Sequence, residues 1–99
     1  MYNRFSGQYP AWIKSCNGEF VNMAFVSKIG VRQTVQTTAR NEFIIYSDMG
    51  VDKLEVRLAK FEDEDMAFSA LDKMVGFLPI AVLDMDLDIV SQVEKDFTP

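Results

Sequence analysis

Asp84, Asp86 and Asp88 stand at alternate positions, the spacing in this chain closest to a metal-binding loop. In a calcium loop, oxygens at every second residue surround the ion, a glycine at the sixth position makes the sharp bend, and a glutamate at the twelfth adds two ligands. Here the sixth position is Ile89 and the twelfth is Lys95. The turn and the closing ligand are both missing, so no metal and no other cofactor is expected. The triplet reads instead as the acidic start of a helix, where carboxylates meet unpaired amides and the positive end of the helix dipole.

Cys16 is the one thiol, and Lys14 is the only cation near it in sequence. Nucleophilic catalysis needs a thiolate, generated by a neighbouring base or cation. The chain has no histidine, which removes the side chain best matched to proton transfer at neutral pH and the commonest transition-metal ligand. Carboxylates are plentiful, but a two-acid hydrolase also needs a substrate cleft that a 99-residue chain has little room to build. Phosphate-cradling glycine loops and metal-binding cysteine clusters are absent from the sequence as well. No catalytic residue is assigned, and the chain is read as a non-enzyme.

Aromatic and basic residues interleave in the first half: Tyr2, Phe5, Tyr9, Trp12, Phe20, Phe25, Phe43 and Tyr46 among Arg4, Lys14, Lys28, Arg32 and Arg40. Such interleaving can stack single-stranded bases above a cationic sheet. The same rings are also what a core needs for filling. Residues 1–61 hold eight Lys/Arg against five Asp/Glu, a net of +3, whereas residues 62–99 hold two against ten, a net of −8. The positive half is too weak for a nucleic-acid footprint, and the acidic half opposes one. Nucleic acid is therefore the least favoured partner.

These residues must be positioned by elements, and the hydropathy pattern shows which. Residues 1–10 lack sustained periodicity and form an N-terminal arm, leaving 11–99 as one domain. Ala11–Ser15 and Glu19–Met23 flank Asn17-Gly18, a pair suited to a tight hairpin turn because both can take positive φ. A third strand runs from Val26 to about Thr37, with Ile29, Val31 and Val35 on one face, Lys28, Arg32 and Thr34 on the other, and Gly30 marking a bulge. Glu42–Asp48 is β-branched and aromatic, and Asp52–Phe61 alternates Leu54, Val56 and Leu58 against Lys53, Glu55 and Arg57.

At Glu62 the period changes to that of a helix, with Ala67, Phe68, Leu71, Met74, Val75 and Leu78 on one side and Pro79 ending it. A second helix is expected over 86–97, although Leu83–Ile89 also alternates as a sixth strand would. The expected fold is α+β in two layers: a four- or five-stranded antiparallel sheet with helices 62–78 and 86–97 packed on one face. Its expected core is Trp12, Phe20, Val21, Ile29, Val31, Phe43, Ile45, Leu54, Val56, Leu58, Phe68, Leu71, Val75 and Leu78, with Ile44 and Tyr46 replacing Phe43 and Ile45 if the register slips by one.

No apolar run reaches the roughly 18 residues of a membrane span, and the first residues lack a signal peptide's apolar block. A lone cysteine fits a reducing compartment. The cytoplasm is the expected location, with no membrane contact.

Trp12-Ile13-Lys14, Gly18-Glu19-Phe20-Val21-Asn22-Met23 and Val26, followed by strands and the Ala67–Leu78 helix, resemble small uncharacterised proteins of Gram-positive bacteria and their phages. That resemblance implies a β-meander followed by a helix and transfers no activity or site.

Three functions fit a small fold without site chemistry. The first is a protein-binding or regulatory module acting by surface contact as a homo-oligomer, a dimer being favoured, with its outside partner unidentified. Its expected surface comprises Lys28, Arg32, Tyr46, Lys53 and Arg57 on the sheet and Glu62, Asp63, Asp65 and Asp72 on the helix, so that opposite charges meet between copies. The second is an acidic phage-type inhibitor, similar to anti-CRISPR proteins, whose carboxylates mimic nucleic-acid phosphates. The third is a weak single-strand binder using the sheet face.

Overall fold

The computed structural model describes residues 12–50, 55–76 and 82–98. The arm at 1–10 and the expectations for Lys53, Leu54 and Leu78 lie outside them, as does the side chain of Val75.

Alternation of Ile13 and Val21 with polar or aromatic neighbours produces two short strands, β1 (Trp12–Lys14) and β2 (Phe20–Asn22), paired antiparallel. Their connection is longer than a two-residue turn. Gly18 N–H donates to the Ser15 carbonyl at 3.0 Å, so Cys16 and Asn17 occupy the turn centre, and Gly18 follows with φ +87°. This is a turn closed by a left-handed glycine, which corrects the expectation that Asn17-Gly18 forms the centre. Ser15, buried between the strands, accepts from the amides of Asn17 and Glu19 and so fixes the loop.

After a 3₁₀ turn at Met23–Phe25, β3 (Lys28–Gln36), β4 (Asn41–Asp48) and β5 (Glu55–Phe61) form an antiparallel meander. Gly30 is not a bulge: it pairs in register with Tyr46, whose ring lies over it, so that an added Cβ would sit 3.0 Å from the phenol oxygen. The irregularities fall elsewhere. The β3–β4 register shifts between Gln33 and Val35, and the β4–β5 register passes from Ile45–Ala59 to Tyr46–Arg57, leaving Leu58 as an extra residue.

The helical period beginning at Glu62 becomes α1 (Glu64–Gly76), which contacts all three meander strands. Ala67, Ala70 and Met74 form its buried stripe, with Met66 and Leu71 half-buried at the rim. Phe68 is turned away and exposed, contrary to expectation.

Each competing reading of the C-terminal segment holds over part of its expected length, in succession. Val82–Asp84 is a strand, β6, parallel to β1; Met85–Val90 is a π-helical turn; Ser91–Phe97 is a helix, α2. The π geometry is visible in the Ser91 N–H, which donates to the carbonyl of Asp86 five residues back.

The α+β class stands, while the single four- or five-stranded sheet gives way to two three-stranded sheets, ordered β2-β1-β6 and β3-β4-β5. Helix α2 packs on α1 and the π turn touches β5. One core joins the layers: Ile13, Val21 and Leu83 from the small sheet, Phe43, Ile45 and Phe61 from the meander, and Met85, Ile89 and Val93 from the C-terminal segment. Trp12 and Phe20, expected in this core, lie outside it. Adjacent residues of a strand face opposite ways, so burial of Ile13 and Val21 turns Trp12 and Phe20 outward.

Candidate functional site

Two surfaces carry the residues that chemistry or recognition could use. The first is the outward face of the small sheet. Register places Asn22, Trp12 and Val82 in one row across it and Phe20, Lys14 and Asp84 in the next, with Lys14 and Asp84 paired at 3.9 Å. Trp12 and Phe20 are diagonal neighbours, 41% and 58% exposed; Val82 is 43% exposed and Phe25, just beyond β2, 66%. Ordinary surfaces scatter such residues singly. Here register puts Trp12, Phe20 and Val82 on one face.

The second is the outer face of the meander, away from α1. Its register assembles Lys28, Arg32, Tyr46 and Arg57 as the sequence suggests, but adds Asp48, Glu55, Ile44 and Lys60. Lys28 pairs with Asp48 at 3.9 Å, and Arg32 pairs with Glu55 while its guanidinium lies 5.5 Å from the Tyr46 ring centre. The expected basic face is therefore partly neutralised. The alternation of Asp52–Phe61 already sets Glu55 with Arg57, but only strand pairing brings it, and Asp48 of β4, beside the β3 cations. Ile44 also lies on this side, yet it is 1% exposed and outside the main core.

Arg57 and Lys60 form no ion pair among the described residues. With Glu42, Ile44 and the Cys16–Asn17 turn they line a cleft of about 370 Å³. Glu42 accepts a hydrogen bond from the Thr34 hydroxyl. That bond, helped by the fields of Lys60, Arg40 and Arg57, holds its carboxyl below the usual range. The Cys16 thiol is pushed up to about 12 by burial, with Asp86 and Asp84 adding to the rise. Cys16 thus holds its proton through neutral pH.

Glu62, Asp63, Asp65 and Asp72 are exposed on or just before α1, as expected of an acidic face. The aspartate triplet is engaged locally. Asp84 Oδ1 accepts from the Leu87 amide at 3.1 Å, and Asp88 Oδ2 accepts from the Asp84 amide at 2.9 Å. The stacking platform is not gathered on the cationic meander face: Tyr46 stands there, whereas Trp12 and Phe20 belong to the small sheet. Sequence reasoning missed Lys60, Glu42 and Asn17 as cleft residues: the β5 bulge turns Lys60 outward beside Ile44, and the bond from the Cys16 amide to the Leu58 carbonyl brings the turn alongside, contacts between segments distant in the chain.

No protein-family model, curated protein or solved structure matches the chain. Among the described residues no helix is long and apolar enough to cross a membrane.

Proposed function

We propose that this protein is a small non-enzymatic binding or regulatory module acting by surface contact, and that one partner is a second copy of itself in a two-fold dimer. The observation that carries this reading is the outward face of the small sheet, with Trp12, Phe20 and Val82 exposed together. Aromatic residues grouped on one face are what interface hot spots are made of. A second copy fits such a face, because aromatic rows can meet aromatic rows across a two-fold axis, with the Lys14–Asp84 pair already neutral beside them. Charge between the Arg57 region and the acidic start of α1 would steer approach, a weaker role than first expected because Lys28 and Arg32 are already paired.

Light scattering across protein concentration provides the test. The expected result is a mass rising above 11.3 kDa, returning to the monomer in a Trp12→Ala, Phe20→Ser double variant. A constant mass of 11.3 kDa at all concentrations would overturn the dimer. The acidic-inhibitor reading keeps one supporting observation, the continuous exposure of Glu62, Asp63, Glu64 and Asp65. Capture of host proteins on tagged material, with and without nuclease, separates it: a nucleic-acid-processing partner retained after nuclease treatment favours the inhibitor.

A further inference from the structure

We propose that the cleft between the β5 bulge and the Cys16–Asn17 turn binds a small organic anion bearing two acidic groups, a dicarboxylate or a phosphate ester. In a regular strand Arg57 and Lys60, three residues apart, would face opposite ways. The extra residue at Leu58 cancels that alternation, so Arg57 beside Tyr46 and Lys60 beside Ile44 share the outer face. Bulges re-aim side chains in this way and are enriched beside functional sites. The same residue docks the small sheet: its carbonyl accepts from the Cys16 amide at 2.9 Å, which sets the turn as the opposite wall.

Charge favours an anion. Arg57 and Lys60 lack ionic partners among the described residues, and Arg40 adds its field at Glu42. Glu42, the one carboxylate of the wall, is tied to Thr34. Asn17 contributes an exposed amide, and Cys16 a thiol that stays protonated and adds no negative charge. At about 370 Å³ the cleft falls within the range of small-molecule sites and exceeds the needs of a single inorganic ion. A guanidinium and an ammonium on one rim suit two acidic groups on one ligand.

The test is an amide-resolved NMR titration of the whole chain with succinate, glycerol phosphate and inorganic phosphate, at ionic strength held constant with chloride. Saturable shifts confined to residues 16–17, 42 and 57–60 are expected with one of the two organic anions, and which one identifies the acid type. Arg57→Gln with Lys60→Gln should weaken that binding about tenfold or more, given the strength of charge-assisted hydrogen bonds. Glu42→Gln should tighten it by removing the competing charge. Unchanged affinity in the double variant, shifts scattered over Lys28, Arg32 and Lys95, or no saturation with either organic anion would overturn the proposal. Melting curves of the variants establish that the fold is retained, and both substituted cations are exposed.

Discussion

At the scale of the residue, two positions convert local geometry into measurable energies. Gly18 and Gly76 both have open space where a Cβ would stand, but Gly18 has φ +87° and Gly76 ends α1 without a positive φ. Gly18→Ala should therefore cost about 1–2 kcal/mol from the left-handed backbone alone. Gly76→Ala should stabilise by about 0.5 kcal/mol through the unfolded chain's lost freedom. Urea melts of both variants check the opposite signs. Cys16 offers a chemical readout. With its thiol raised to about 12, alkylation of the folded protein at pH 8 should run at least about tenfold slower than that of the unfolded chain. The linked stability is complete below the unfolded thiol's pKa of about 9 and is lost as pH rises from there toward 12. Comparison with Cys16→Ser over that window isolates it. An alkylation rate equal to the unfolded rate would show that burial and Asp86 do not hold the proton.

At the scale of the element, the π turn depends on the aspartates that a sequence reader first tests for calcium. Asp84 caps the turn through the Leu87 amide, and Asp88 reaches back to the Asp84 amide. Ser91 adds its hydroxyl to the Asp86 carbonyl at 2.8 Å. Removing the cap in Asp84→Ala should cost about 0.5–2 kcal/mol, whereas adding calcium or a chelator to the native protein should leave its Tm where it was. A calcium-dependent rise in Tm would mean that the carboxylates leave these amides to coordinate the ion. The helix start was legible from the acidic run at Asp84–Asp88. The strand before it was legible only in its position, since the alternation of Leu83–Ile89 runs past Asp84, where the strand gives way to the π turn. Their succession was not, since one period cannot show where β1 stops accepting a partner.

At the scale of the molecule, association should separate into two contributions. Apolar contact through Trp12 and Phe20 should persist at high salt, while charge steering should fade as the Debye length shrinks from about 8 Å at physiological strength to about 3 Å at 1 M. A dimer whose dissociation constant hardly moves between 0.15 and 1 M sodium chloride is expected, as about the signature of an apolar interface. Dissociation by salt alone would return the main role to the charged faces. Ile45, fully buried where β4 meets the shared core, reports on the fold itself. Ile45→Ala should lower stability by about 2–5 kcal/mol in denaturant melts.

What the sequence determined by itself is whatever depends on near neighbours: the hairpin at residues 12–22, the meander strands, the change of period at Glu62, and the acidic helix starts. Backbone geometry sets periods of two and 3.6 residue by residue, so these are written locally. Only the tertiary structure decided that β1 pairs in parallel with β6 from the far end of the chain and so splits the strands into two sheets. It also decided that Trp12 and Phe20 face outward, and that an extra residue at Leu58 sets Arg57 and Lys60 side by side. Partner choice and bulge position are settled by which pairing buries the most apolar surface across the whole core, a comparison between distant segments that no local window contains.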